Sequence, residues 1–274
     1  MIEYSNEIRR SPNTEDLEPM SGITVGALVH CFNGNVDEAV KGIREEYQGI
    51  RNDAFADARS RAEQCLFRLY EAQYLILPHV EVDLRGFVFD DAYHAFAVEK
   101  AAECYDRARG EQEYALALAA VKEKDYVTAG THFRAAALCG HAGGQYNYGV
   151  SLSSGELGEA DPLEGAFWYF IAAKNGNEKA MINLAVAYRN GMGVFGNGPM
   201  MLYWYARAAA IPNPYGVYNL GLCLQKEEVL DGNPAMGRNL RVAAERLNDE
   251  SARQYAVNAA EMVLMILDGI AFNK

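Results

Sequence analysis

Paired cysteines, a long apolar run and a basic cluster are all absent from this sequence of 274 residues. The five cysteines are odd in number and lack paired spacing, which favours reduced thiols in a reducing compartment over a disulfide framework. Nowhere do ~18 consecutive apolar residues occur, so no segment is predicted to span a bilayer. The uncharged stretch 20–35 is too polar for the apolar part of a secretory signal. We therefore expect a cytoplasmic protein that does not bind membranes.

Basic residues are also scarce. The chain has 25 Lys and Arg against 37 Asp and Glu, which gives a formal net charge of −12 at pH 7. Nucleic-acid binding requires a positive surface against the phosphates, and no Lys/Arg cluster supplies one, so no nucleic-acid partner is expected. The acidity favours solubility and implies a weak preference for basic partner surfaces. Because half of its residues are apolar, the chain has the composition of a folded protein.

The second half of the sequence contains a tandem repeat. Three columns of residues recur with a step of 36 positions, and their agreement argues against a chance match. The columns are Phe133, Tyr169 and Tyr205; Ala137, Ala173 and Ala209; and Asn147, Asn183 and Asn219. Each unit combines a helix with a small residue (Gly149, Ala185 or Gly221), a polar loop, and a helix with an Ala-Ala pair. We therefore predict stacked helical hairpins, because one hairpin alone has too little apolar area to fold.

The repeat sets the predicted domain boundaries. Residues 1–20 are expected to be flexible, 21–110 to form a helical cap or degenerate repeats, 111–248 to hold the repeats, and 249–274 to form a capping helix. The first inward-facing helix is predicted at Val36, Ala39, Val40, Ile43, Tyr47 and Ile50. The second is predicted at Phe55, Ala58, Ala62, Leu66, Leu69 and Tyr74. Gly110 is expected to separate this region from the first repeat helix.

Four segments carry a family resemblance: YNYGVSLSSG (146–155), INLAVAYRNGMGV (182–194), YNLGLCL (218–224) and the paired FWY…AA and YWY…AA helices. They resemble Sel1-like repeats, relatives of the tetratricopeptide repeat, over residues 112–245. The resemblance implies an all-α fold, a right-handed α-α superhelix (solenoid) of Sel1-like helical hairpins. It also implies a scaffold, expected to be a monomer, that binds a peptide or partner helix in its concave groove. The fourth unit departs from the pattern, with Asn239–Leu240 in place of an aromatic pair.

Two other functions stay open beside the adaptor. Penicillin-binding or β-lactamase activity is attributed to some secreted, disulfide-linked members of the family, so a hydrolase of β-lactam or peptidoglycan fragments is one alternative. The lack of paired cysteines weighs against it, and the sequence has neither a Gly-x-Ser-x-Gly elbow nor a Cys–His pairing. The other alternative is a dedicated neutraliser or chaperone of one toxin or effector. We predict a non-enzymatic protein without a cofactor.

The predicted binding site lies on the first helix of each hairpin. In tetratricopeptide-like geometry, residues of that helix that point away from its partner helix line the concave face, and tyrosine and arginine are typical hot spots. The predicted site residues are Tyr146, Val150, Ser153, Ser154, Ile182, Val186, Arg189, Asn190, Tyr218, Leu222, Gln225 and Lys226. The column Asn147, Asn183 and Asn219 is interpreted as a structural ladder that satisfies backbone groups of loops or neighbouring helices.

His132, Cys139 and His141 carry the side-chain types of a zinc site. No fourth ligand lies near them in the sequence. His132 also occupies the column of Trp168 and Trp204, which predicts a packed core residue. We therefore predict no metal site.

Overall fold

The computed structural model describes residues 36–49, 66–67, 69–70, 73–74, 105–226 and 233–271. All the regular elements with bounds in these ranges are α-helices, which confirms the all-α prediction; the right-handed turn of the superhelix stays a prediction. The helices are α1 (Val36–Gly49), α2 (Arg107–Lys122), α3 (Tyr126–Leu138), α4 (Ala142–Ser154), α5 (Pro162–Lys174), α6 (Glu178–Asn190), α7 (Gly198–Ala210), α8 (Pro214–Gln225), α9 (Pro234–Glu245) and α10 (Glu250–Ala271).

The chain forms two compact units. The first comprises Met1–Glu111 with Leu138–Gly140, and the second comprises Gln112–Ala137 with His141–Lys274. In the first unit, the predicted inward face of α1 is confirmed at four positions, all of them buried: Val36, Ala39, Val40 and Ile43. Leu66 and Leu69 of the second predicted face are buried as well. Tyr74 of this second face is half-buried. Residues 1–20 lie outside the described part of the structure, and so do the remaining members of both faces: the side chain of Tyr47, and Ile50, Phe55, Ala58 and Ala62.

The second unit is built from consecutive helical hairpins. Helices α4, α6 and α8, here called the A helices, each pack along the next helix of the chain, the B helices α5, α7 and α9. Contacts between α5 and α6, and between α7 and α8, join one hairpin to the next. The final helix α10 packs against α7 and α9 and touches α8 only lightly. This is the stacked arrangement that repeats need, because each unit buries its apolar face on a neighbour.

Two columns of capping residues begin the helices of this unit. Each cap accepts a hydrogen bond, 2.9 to 3.2 Å long, from the backbone N–H three residues later, which satisfies a donor that the helix itself leaves unpaired. Asp125, Asp161, Asn197 and Asn233 begin α3 and the B helices, whereas His141, Asn177, Asn213 and Asp249 begin the A helices and α10. Both columns keep the step of 36. The caps therefore fix where helices α3 to α10 start.

The loop within each hairpin closes in the same way in all three. The backbone N–H of the B-helix cap donates to a carbonyl near the end of the A helix. The three bonds are Asp161 to Leu152 at 2.8 Å, Asn197 to Tyr188 at 3.0 Å, and Asn233 to Leu224 at 3.2 Å. This repeated bond holds the A and B helices at a constant offset along the chain.

Glycines let two of the three hairpins close tightly. A Cβ on Gly149 would lie 3.0 Å from the Gly165 carbonyl oxygen, and one on Gly237 would lie 2.5 Å from that of Gly221. In the middle hairpin the equivalent positions are Ala185 and Met201, and α6 and α7 lie in less intimate contact. Small residues at the crossing decide how near the two backbones approach.

Gly110 does not separate two helices, contrary to the expectation. Helix α2 runs through it, and the Gly110 N–H donates to the Asp106 carbonyl at 2.8 Å. The Asp106 carboxylate accepts from the Arg109 N–H at 3.0 Å and so caps this helix. A glycine inside a helix costs about 1 kcal/mol, which the surrounding helical bonds offset here.

Candidate partner-binding face

Six of the predicted site residues form a partly accessible strip of two columns along the A helices. They are Tyr146, Val150, Ile182, Val186, Tyr218 and Leu222, here called the A-helix face; Tyr218 is exposed and the other five are half-buried. The same helices bury the columns Tyr148, Leu184 and Leu220 and Gln145, Met181 and Val217. The A helices therefore pack one side into the core and leave an aromatic and aliphatic side accessible.

The column Ser153, Arg189 and Gln225 behaves differently. A Cβ on Gly165 would lie 2.1 Å from the Ser153 hydroxyl oxygen, so Ser153 points between the two helices of its hairpin. Gln225 also reaches its B helix, where its side-chain oxygen accepts from Arg241 at 2.8 Å. Arg189, on the same column, is half-buried. This column borders the A-helix face on the side of the B helices.

The column Ser154, Asn190 and Lys226 lies at the ends of the A helices and is exposed. The Ser154 hydroxyl donates to the Ser151 carbonyl at 3.3 Å, and the Asn190 amide lies 3.8 Å from the Met192 sulfur. Lys226 ends α8, with its N–H on the Leu222 carbonyl at 3.1 Å. These residues form the polar rim of the strip.

The asparagine column makes contacts between hairpins in two of its three members. The Asn147 amide donates to the Tyr114 hydroxyl at 3.4 Å, and Asn183 shares hydrogen bonds with the hydroxyls of Tyr146 and Tyr169. Asn219 instead donates to the Tyr215 carbonyl of its own helix at 2.8 Å. The Asn183 bond thus holds the hydroxyl of Tyr146, a residue of the A-helix face.

Burial keeps three tyrosines of this region neutral. It raises the pKa of Tyr146 and Tyr169, and it raises the pKa of Tyr148 to about 12, with the Glu164 carboxylate adding to the effect on Tyr148. All three hydroxyls therefore keep their protons far above pH 7. They can donate and accept hydrogen bonds, but they cannot serve as bases at neutral pH.

Charged groups are sparse on the A helices. In α4, α6 and α8 the sequence has a single carboxylate, Glu178, beside the cations Lys179 and Arg189. The Glu178 carboxylate accepts from the Asn213 amide at 2.7 Å, so it is engaged in joining two helix starts. The A-helix face thus carries no negative side chain, although the chain as a whole has a net charge of −12.

Arg241 is a residue beside this face that the sequence analysis missed. It belongs to B helix α9, yet its guanidinium lies 5.2 Å from the centre of the Tyr218 ring and bonds Gln225. The signal was available in the sequence, because Arg241 stands 36 residues after Tyr205 in the aromatic column. Arg241 directly follows Asn239–Leu240, the pair at which the fourth unit departs from the repeat pattern.

His132 is not the packed core residue that its column predicted. Its side chain is 30% exposed, and its Nδ1 atom lies 2.7 Å from the Glu113 carboxylate. The imidazole is polar enough to turn toward this partner, whereas Trp168 and Trp204 at the equivalent positions fill the core. In the described ranges, no three His, Cys, Asp or Glu side chains lie close enough together to hold a metal ion.

Cys223 is buried and Cys139 is half-buried, and the other three cysteines lie outside the described residues. Of the helices whose bounds are given, none combines the length and apolar character needed to cross a lipid bilayer. The predicted compartment stays a prediction.

No family model matches the sequence, and no curated protein matches it by sequence. Two solved structures are similar to the chain. A Sel1 repeat protein from Oxalobacter formigenes has 18% identity and a TM-score of 0.46, with 85% of each chain covered. A protective antigen present in uropathogenic Escherichia coli strains, which displays an SLR fold, has 19% identity and a TM-score of 0.48. That similarity covers 89% of this chain, which spans 58% of the antigen's length.

The chain is similar to Sel1-like repeat proteins. The Sel1-like repeat is also the family that its own motifs resemble. The helices, capping columns and hairpin loops described above establish the helical repeat architecture from this chain alone.

Proposed function

We propose that this protein is a non-enzymatic interaction module that binds a peptide or a helix of another protein on the A-helix face. The observation that carries the proposal is a set of six aromatic and aliphatic side chains, repeated every 36 residues, that stay at least partly accessible on helices whose other side is buried. Contiguous apolar surface that stays open in a folded protein is typical of a binding site.

The composition of the face supports a protein partner. Tyr146 and Tyr218 offer large contact areas with polar hydroxyls and few rotatable bonds, which is why tyrosine is common among binding hot spots. The aliphatic residues between them, Val150, Ile182, Val186 and Leu222, add apolar area at regular intervals. A partner helix or extended segment with apolar side chains on one side matches such a strip.

The neighbouring hairpins also support the proposal, because they hold the face in a fixed shape. The caps, the loop bonds and the asparagine contacts place the three A helices before any partner arrives. Prearranged side chains lose less conformational entropy on binding, so more of the contact energy appears as affinity. A dedicated toxin neutraliser or effector chaperone would use this same surface. No observation in the described part of the chain favours a hydrolase over this proposal.

The proposal is tested by selecting short peptides from a random phage-displayed library on the purified protein. Val186→Glu places a charge in the middle of the face, and Val127→Glu places the same charge on an exposed residue of α3 outside it. We expect selected peptides to bind the wild-type protein and Val127→Glu alike and to lose binding to Val186→Glu. Selection of no peptide that is sensitive to Val186→Glu would contradict the proposal.

A further inference from the structure

The fourth unit replaces an aromatic residue with a cation at one position. Phe133, Tyr169 and Tyr205 are buried between the helices of the array, and the next member of their column is Arg241. The polar partner changes with it. Tyr169 shares a hydrogen bond with Ser153, whereas Arg241 bonds Gln225, which stands two units after Ser153. A tyrosine and serine pair thus becomes an arginine and glutamine pair.

The Arg241 side chain lies across the A helix of its own hairpin. A Cβ on Gly221 would come within 3.1 Å of the Arg241 Cγ, so the missing side chain at Gly221 gives the arginine its path. Beyond that point the guanidinium sits against the Tyr218 ring at 5.2 Å, while its Nη1 donates to Gln225 at 2.8 Å. Both contacts hold the planar group in one orientation at the end of the A-helix face.

The charge of Arg241 is not balanced by a carboxylate in the described part of the chain. Nearby arginines show the contrast, because Arg246 pairs with Asp249 at 3.0 Å and Arg253 with Glu250 at 2.8 Å. Among the described residues, Arg241 contacts the neutral groups of Gln225 and Tyr218, and its buried Nε finds no hydrogen-bond partner there. A half-buried guanidinium with neutral partners attracts an anion more strongly than a fully solvated one, because less water screens it.

The A helices themselves carry few charges that would oppose this attraction. Their sequences contain one carboxylate, Glu178, and two cations, Lys179 and Arg189. Glu178 stands in the first turn of α6, at the opposite end of that helix from Arg189.

We propose that Arg241 binds an aspartate or glutamate side chain of the segment that occupies the A-helix face. This inference rests on the proposed function and adds the chemistry of the partner. The partner segment places apolar residues on the A-helix face and a carboxylate at the end of the face where Tyr218 lies. The guanidinium Nη groups suit the two oxygens of a carboxylate, and Gln225 and Tyr218 have already fixed its plane. The net charge of the whole chain predicts a weak preference for basic partner surfaces, whereas at the Tyr218 end of the A-helix face we expect an acidic residue of the partner.

Three carboxylates of this chain could pair with Arg241 in place of a partner's carboxylate: Glu227, Glu228 and Asp231. They stand close to Arg241 in the sequence and lie outside the described residues. A variant with Glu227→Gln, Glu228→Gln and Asp231→Asn removes them together. If Arg241 serves only to bind these residues, this variant will lower the unfolding midpoint as much as Arg241→Tyr does, and combining the two will add nothing. That result would overturn the inference.

The direct test uses the phage-selected peptides with Arg241→Tyr and Arg241→Lys. Arg241→Tyr restores the residue of the preceding units and is expected to fold, which a thermal denaturation curve checks. We expect selected peptides to be enriched in Asp and Glu, and the affinity to fall about tenfold or more in Arg241→Tyr, as for the loss of a charge-assisted hydrogen bond. Arg241→Lys should recover part of the affinity, because it keeps the charge without the planar fork.

Amidating the peptide carboxylates separates the two proposals. We expect Asp→Asn or Glu→Gln in the peptide to weaken binding to the wild-type protein and to have no further effect on Arg241→Tyr. Peptides that depend on Val186 but show neither acidic enrichment nor sensitivity to Arg241→Tyr would overturn the inference and leave the proposed function standing. A library that yields no peptide dependent on Val186 would overturn both.

Discussion

The middle and last hairpins follow one sequence pattern but differ in the residues between their two helices and in the residue of the aromatic column. In α6–α7 the helices cross at Ala185 and Met201, and Tyr205 is fully buried. In α8–α9 they cross at Gly221 and Gly237, and the position of Tyr205 is taken by the half-buried Arg241. The difference shows that a repeat can present different side chains on its surface while its helices keep the same arrangement. Loss of a side chain at Gly221 opens the path along which a B-helix residue reaches the A-helix face.

The largest expected effect concerns the crossing itself. Gly237→Val should destabilise the last hairpin by about 3 kcal/mol, because its Cβ would meet backbone atoms at 2.5 and 2.6 Å that cannot move aside cheaply. Met201→Val is the matched control at the equivalent position, with an expected cost below about 1.5 kcal/mol. Urea denaturation of both variants measures the difference. Equal costs would show that the two hairpins do not differ in backbone separation.

The capping columns predict the next effect. Asn213→Ala should cost about 1 to 2 kcal/mol, because it removes the cap of α8 and the 2.7 Å bond to Glu178. Asn219→Ala, in the same helix, removes only a bond to the Tyr215 carbonyl and should cost less than about 0.5 kcal/mol. The denaturant midpoints of the two variants measure these two losses of stability. A larger loss for Asn219→Ala would contradict the importance assigned to the caps.

A smaller and stabilising effect is expected from a second difference between units. Trp168 Nε1 donates to Glu164 at 3.3 Å. Trp204 Nε1 is buried and has no acceptor among the described residues, because Met200 takes the place of that glutamate. Met200→Glu should therefore raise the free energy of unfolding by about 1 kcal/mol, since it supplies the acceptor that Trp204 Nε1 lacks. Glu164→Met is the reverse control and should lower it. Destabilisation by Met200→Glu would show that the buried site cannot accept the carboxylate.

The smallest effect is a pH dependence at the end of the array. Hydrogen bonds from the Ala252 and Ser251 N–H groups lower the pKa of Asp249 from 3.8. The cap therefore stabilises the fold at pH values above 3.8, and this contribution is lost as the pH falls through the lowered pKa of the folded state. Asp249→Asn should flatten the stability profile in this acid range, because Asn213 and Asn177 cap the same column without titrating. Thermal midpoints measured across that range provide the test, and an unchanged profile would contradict it.

The sequence was sufficient to predict the hairpins, because their small and aromatic residues recur at a fixed step. The two capping columns were equally visible, since Asp125, Asp161, Asn197 and Asn233 keep that step, yet the helices were defined by their apolar residues alone. Local rules sufficed for these features, because a cap acts on its own helix start.

Arg241 and Ser153 could not be placed from spacing in the same way. Their positions depend on which neighbouring residue lacks a side chain, Gly221 for Arg241 and Gly165 for Ser153. The prediction that His132 is a core residue was wrong for a related reason. Glu113 on another helix offers it a polar partner, which the position of His132 in its column does not reveal. Contacts between helices therefore determine where individual side chains of the face lie, whereas the repeat determines only which helices form it.

Hydrogen exchange with and without a selected peptide tests the central claim most directly. If a partner segment occupies the A-helix face, protection on binding will concentrate in α4, α6 and α8 and extend to the turn of α9 that holds Arg241. Helices α5 and α7 should exchange at the same rates in both states. Protection confined to α5, α7 or α10, with no change in the A helices, would contradict the claim.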